Sequence, residues 1–346
     1  MDAKKRLDWL DVSKAIGVYL VILGHLVMFN YHTFRFIFAF HMPFFFVAAG
    51  YVWKWNDKFG GYIKKISKNY LFPYFVVSVL GLVQCILLPM AGRNIGNLMR
   101  PEVLERSFYE GLPSYSFFGS AWFLLAMFWA QLFFWVMMWL AKRFKKYIVV
   151  LAWIVLVLFA VFSKDIFSFI PIFERLPWKL DSALMATVFM GIGYLLKKVN
   201  MIGSGKAIVA GVLSLAGAFI TWLFGCKWNY YVNLCDCAYA KEYNYFIAAI
   251  AGSVMLFGLG QLLCKIKLLQ YAGRNTLIIF LAHESIYVLV IYLVNMLFHQ
   301  SLAGQSMPLN GWSIGVSLAT FGLAILLVYV IEKIKKLSKK VFAKSH

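Results

Sequence analysis

Apolar positions along this chain fall in long unbroken runs. They do not form the stripes of a water-soluble amphipathic helix or the alternation of a half-buried strand. Each run holds about 20 residues, enough to cross roughly 30 Å of hydrocarbon at about 1.5 Å of rise per residue. The pattern predicts spans near 12–31, 35–53, 70–90, 120–140, 147–163, 180–196, 207–225, 244–264, 275–298 and 311–331. A transmembrane β-barrel would instead show short segments of alternating hydropathy. The expected fold class is all-α: a polytopic transmembrane bundle of about ten helices, forming one membrane-embedded domain over residues 1–346.

Composition agrees, because 62% hydrophobic and 14% charged residues leave too little polar surface to clothe a soluble domain of 346 residues. A net charge of +20 raises the question of nucleic acid, and the distribution of the charge answers it. With the N-terminus inside and loops assigned alternately, 25 of the 34 lysines and arginines fall in inner segments. Acidic residues such as Glu102, Glu110, Asp165, Asp181 and Asp236 fall outside. This asymmetry is the positive-inside rule repeated at each turn, and it places both termini in the cytoplasm. The excess charge orients the chain and meets anionic lipid head groups, so no nucleic-acid partner is expected. The first apolar run follows Asp8 and Asp11, is too long for a signal core and lacks a small-residue cleavage site, so it is predicted to remain as the first span.

Three of the five cysteines, Cys226, Cys235 and Cys237, share one outer loop, where Cys226 could pair with Cys235 or Cys237. No histidine stands near enough in that loop to complete a zinc site, and no metal is expected.

Polar residues deep in the spans carry the chemistry, because an ionisable group in hydrocarbon costs at least about 2.5–3.5 kcal/mol and usually faces a cavity or a partner. Lys14 and His25 lie eleven residues apart on the first span, hence on one helical face and about 16 Å apart along the axis. His41, in the second span, is expected at the depth of His25, beside a bend caused by Pro43. His283 and Glu284 sit near the middle of the ninth span, where Glu284 should be protonated or paired with an imidazole or a lysine.

These residues fall in a pattern. The run Arg6-Leu7-Asp8-Trp9-Leu10-Asp11, then Lys14 and Gly24-His25, resembles the opening of the acyltransferase 3 family of integral membrane acyltransferases. Phe40-His41-Met42-Pro43-Phe44-Phe45, Tyr70-Leu71-Phe72-Pro73-Tyr74, Ala121-Trp122-Phe123-Leu124 and Gly191-Ile192-Gly193-Tyr194 resemble its later helices in order. Tyr271-Ala272-Gly273-Arg274-Asn275-Thr276 followed by His283 resembles its late segment. The resemblance covers about residues 6–330, and the branch related to fucose 4-O-acetylases is the most similar.

The resemblance implies a multi-pass protein of a bacterial-type inner membrane that moves an acyl group, usually acetyl, from cytoplasmic acyl-CoA to a hydroxyl of a cell-surface or lipid-linked glycan. The family's basic-residue and histidine motif falls on Lys14 and His25, and its paired basic motif on Lys65 and Lys68. Lysine replaces the common arginine at these positions, which keeps a point charge and loses the bidentate fork. On this reading Lys14, Lys65 and Lys68 hold the phosphates of acetyl-CoA, the donor substrate. His25 is the general base, His41 and Glu284 complete the catalytic group, and a polar corridor joins the two ends. Trp122, Trp178, Asp181 and His283 would meet the sugar acceptor. The rival reading is a transporter or flippase of a glycan or lipid that uses the same buried groups as a polar pathway. A passive scaffold would leave those groups without a purpose.

Overall fold

The structure is a computed structural model, and it describes residues 7–28, 30–90, 101–111, 118–168, 175–199, 206–304 and 307–344. Arg6, Glu174 and segment 91–100 lie outside the described residues. Among the described residues are ten helices long and apolar enough to cross a membrane, matching the spans predicted from hydropathy. The described structure is helical apart from loops and one isolated antiparallel bridge, Asn233 with Ala238.

The helices are α1 (Asp8–Leu26), α2 (Tyr31–Phe38), α3 (His41–Val52), α4 (Phe59–Ile66), α5 (Phe72–Met90), α6 (Pro101–Glu110) and α7 (Trp122–Arg143). They continue as α8 (Lys146–Phe167), α9 (Leu180–Val199), α10 (Ala207–Thr221), α11 (Glu242–Leu262), α12 (Lys267–Arg274), α13 (Thr276–Phe298) and α14 (Gly311–Lys344).

Helix α1 lies inside the bundle and packs against α3, α11, α12, α13 and α14. Helices α3 and α9 touch at their backbones. Gly50 faces the carbonyl of Met190, and Gly193 faces the carbonyl of Val47, so any side chain at either position would collide with main chain. The outer faces of α8 and α10 are bare and apolar, with Leu151, Val155, Ile208 and Leu215 exposed, as a lipid-facing surface requires.

Two departures from the predicted spans matter for the site. The second span is two helices, broken at Ala39 and Phe40. Pro43 has no N–H to return to the carbonyl of Ala39, which is the physical reason for a break at that point. The third span begins near residue 59, earlier than predicted, and contains a π-helical turn at Ser67–Leu71. Helix α4 is amphipathic, with Tyr62 and Ile66 buried and Lys64 and Lys65 at its C-terminal end. The Tyr62 hydroxyl donates to Gln131 Oε1 on α7 at 2.7 Å, and Trp53 Nε1 donates to the same hydroxyl at 3.1 Å. These bonds fix the helix that carries Lys65. The extra residue of a π-turn shifts the helical register of α5 relative to α4, a device common at functional sites.

Candidate active site

One end of the bundle contains a cavity of about 1070 Å³. Lys14, Lys65 and Lys68, expected to act together, all line it, joined by Lys54, Lys197 and Arg274. Hydropathy counts these last three only as orienting charges; their separate loops give no signal that they converge. Lys14 is not a free charge, since its Nζ lies 2.7 Å from Asp11 Oδ1. Asp11 is buried and also lies 3.6 Å from Arg274 Nε.

The cavity wall includes Phe123 and Phe280, whose ring centres are 5.2 Å apart. Beyond Phe280, one turn further along α13, the His283 ring packs at 5.8 Å. His25, His283 and Glu284 are not part of the cavity lining. The cavity therefore ends short of the expected corridor, with Phe280 on its wall and packed against His283.

His25 on α1 and His283 on α13 stand 5.2 Å apart, centre to centre. One ligand-type atom from each of His25, His283 and Glu284 lies within 4.8 Å of the other two. Glu284 is anchored at both oxygens. Its Oε2 accepts the backbone N–H of Gly119 at 2.9 Å, and its Oε1 that of Ser120 at 2.8 Å. Gly119–Ala121 is the 3₁₀ turn that opens α7, so the carboxylate sits at the positive end of a helix.

His283 is fully buried, and its Nδ1 donates to the carbonyl of Phe280. A carbonyl only accepts, so in the neutral ring Nε2 carries the lone pair. That Nε2 is buried without a hydrogen-bond partner among the described residues, and so is Ser120 Oγ. His25 is partly exposed. The arrangement offers a proton acceptor, a carboxylate held by two backbone N–H groups and, in His25, a partly exposed imidazole.

His41 lies to one side. Its Nδ1 donates to the carbonyl of Ile37 at 2.9 Å across the helix break. The Phe38 ring is 4.5 Å from His41 and 6.4 Å from His25. The sequence suggests His25 with His41 as the imidazole pair, and the structure instead brings His25 against His283.

At the opposite end, the expected sugar-binding residues are mostly enclosed. Trp122 begins α7 and is buried. Asp181 is buried and accepts Arg175 Nε at 2.9 Å and the backbone N–H of Ser182 at 2.7 Å. Arg175 also reaches Asp236 at 3.4 Å and donates to the carbonyl of Cys235 at 2.6 Å. Buried Lys179 lies 3.6 Å from Glu110, which ties α6 to the start of α9. Trp178 is half-buried, in the left-handed region at φ 52°.

The expected cysteine pairing is corrected by the structure. Cys226, Cys235 and Cys237 are free thiols. Cys226 Sγ packs at the carbonyl of His32, whereas Cys237 Sγ lies 3.7 Å from Arg175 Nη2 and so belongs to a different cluster. Burial pushes the Cys235 thiol up to about 12 and the Cys237 thiol up to about 11.

Ten apolar helices enclosing a basic cavity and a buried histidine–histidine–carboxylate group define a multi-pass membrane protein with enzyme-like interior chemistry. The chain belongs to the acyltransferase 3 family, whose model, described as an acyltransferase domain, matches residues 7–331. No curated protein and no solved structure matches the chain.

Proposed function

We propose that this protein is a membrane O-acyltransferase that carries acetyl, or another acyl group, from acyl-CoA to a hydroxyl of a cell-surface or lipid-linked glycan. The resemblance of the sequence to the fucose 4-O-acetylase-related branch is in keeping with this reading. The observation that carries the reading is the trio of His25, His283 and Glu284 within 4.8 Å, close to a cavity ringed by cations.

The positive-inside rule supports a cytoplasmic face for the basic cavity, where coenzyme A is available. Its cations suit the phosphates of the donor, and its volume leaves room for the pantetheine arm. For the thioester to meet His25, the ring of Phe280 must turn aside. Neutral His25 then takes the proton of the acceptor hydroxyl as that oxygen attacks the thioester carbonyl carbon. The tetrahedral intermediate collapses, the carbon–sulfur bond breaks, and the imidazolium returns its proton to the leaving thiolate. The products are an ester and free coenzyme A. The carboxylate of Glu284, fixed by two backbone N–H groups, offsets the positive charge that the histidine pair acquires on the way.

The test is reconstitution in nanodiscs with labelled acetyl-CoA and a cell-envelope glycan fraction, followed by mass spectrometry of the glycan. Ester formation that is lost in His25→Ala, with the fold intact, supports the reading. Movement of glycan or lipid without any need for acyl-CoA would instead establish the transporter.

A further inference from the structure

The cations that line the cavity are not equivalent. Among the described lining residues five are lysines, and Arg274 is the one guanidinium. An ammonium is a point charge, whereas a guanidinium is a planar fork that matches two phosphate oxygens at once.

The placement of Arg274 is built into the fold. Gly273 lies against the backbone carbonyl of Asp11, where a side chain would not fit, so α12 rests directly on α1. The next residue therefore falls beside Asp11. Arg274 Nε is 3.6 Å from Asp11 Oδ2, and Nη2 is 3.1 Å from Asp8 Oδ1. These carboxylates hold the side edge of the guanidinium. Gln270 Oε1, at 3.4 Å, steadies Nη2 further. Nη1 has no partner among the described residues, and the 3.4 Å contact to Gln270 is the longer of the two at Nη2, so a phosphate that displaces Gln270 meets a hydrogen on each nitrogen of the end-on edge. Asp11 also holds Lys14 at 2.7 Å, so one buried carboxylate aligns two cations of the cavity wall.

We propose that Arg274 is a phosphate-binding residue for the acyl donor, gripping one phosphate group with its end-on edge while Asp8 and Asp11 hold it in register. It supplies the bidentate contact that Lys14, Lys65 and Lys68 cannot make. The inference rests on the acyl-CoA reading above. Coenzyme A offers two kinds of phosphate, the ribose 3′-phosphate and the pyrophosphate, and the choice of donor separates them.

The experiment compares kcat/KM for acetyl-CoA, acetyl-dephospho-CoA and S-acetylpantetheine in wild type, Arg274→Lys and Arg274→Ala, all in nanodiscs with thermal unfolding recorded. A charge-assisted contact of this kind predicts a loss of about 10- to 100-fold for acetyl-CoA in Arg274→Ala. The ratio of acetyl-CoA to S-acetylpantetheine turnover falls with it, through KM, and Arg274→Lys recovers part of the loss. If dephospho-CoA loses as much as acetyl-CoA, the pyrophosphate is the partner; if it loses little, the 3′-phosphate is. A loss shared equally by S-acetylpantetheine means that Arg274 only holds α12 on α1, and the proposal falls. An unchanged preference for acetyl-CoA also overturns it. Failure of wild type to use any of the three donors rejects the acyl-CoA reading itself, a result distinct from either.

Discussion

His25 and His283 meet ring to ring at 5.2 Å although they belong to the first helix and the last but one. Their surroundings differ: His283 is aimed by the carbonyl of Phe280, while His25 remains partly open. His25→Ala is expected to lower transfer by about 10²- to 10⁴-fold, the range of a lost general base. His283→Ala should also lower it, because the bare Nε2 disappears from the site. Turnover per folded enzyme measures both, and full activity in His25→Ala would show the assignment of the base to be wrong.

Glu284→Gln tests the anchor. An amide has one oxygen, so one of the N–H groups of Gly119 and Ser120 must face an NH₂ donor. A buried donor left without an acceptor costs about 1–3 kcal/mol. The expected outcome is a lower unfolding temperature together with reduced turnover, read by a thermal shift assay and by acetyl transfer on the same preparation. Unchanged values for both would mean that the carboxylate charge is irrelevant to fold and chemistry alike.

Gly193→Val should disrupt the packing of α3 on α9. The side chain would meet the backbone carbonyl of Val47, which cannot rotate away as a side chain can. Overpacking costs typically about 1–3 kcal/mol, and a rigid main-chain neighbour places this site at the upper end or above. Yield and unfolding temperature in detergent are the readouts.

The buried thiols give a pH signature. Cys235 and Cys237 have folded values of about 12 and about 11, raised by burial from the ordinary 9.0. A raised acid favours the folded state while its proton stays on, so this contribution is complete below pH 9 and is lost as pH rises from there through the folded values. Stability should therefore decline above about pH 9. At about pH 8.5, where an ordinary exposed thiol is partly ionised, alkylation of Cys235 and Cys237 by iodoacetamide should be much slower in folded than in denatured protein; equal rates would contradict the burial.

Lys68→Ala should raise the KM for acyl-CoA with a smaller change in kcat, because the residue lines the cavity and lies outside the histidine trio. High salt should mimic the substitution by screening the cavity charge. A defect confined to the glycan acceptor would remove Lys68 from the donor site.

Hydropathy makes the span count legible because each helix must cover the same thickness of hydrocarbon, and that constraint is local in sequence. The break before His41 is legible for the same reason, since Pro43 lacks an N–H wherever it stands. The early start of the third span is hidden, because α4 is amphipathic and carries its lysines on one face. The histidine pairing is also hidden. Depth can be read from position along a span, so His25 and His41 look matched, but which helices adjoin is a long-range property. No local signal announces that α13 lies against α1, or that Arg274 reaches Asp11. The cysteines mislead in the same way: closeness in sequence suggests pairing, whereas packing sends Cys226 toward α2 and Cys237 toward Arg175.

The contact between Phe123 and Phe280 has an implication for the membrane as a barrier. Neither ring can donate or accept a conventional hydrogen bond, so on the side of the basic cavity where Phe280 packs against His283 the wall offers a proton no relay to the histidines. If acyl-CoA is the donor, vesicles loaded with the protein are expected to hold a proton gradient in its absence and to lose it faster once the donor is added.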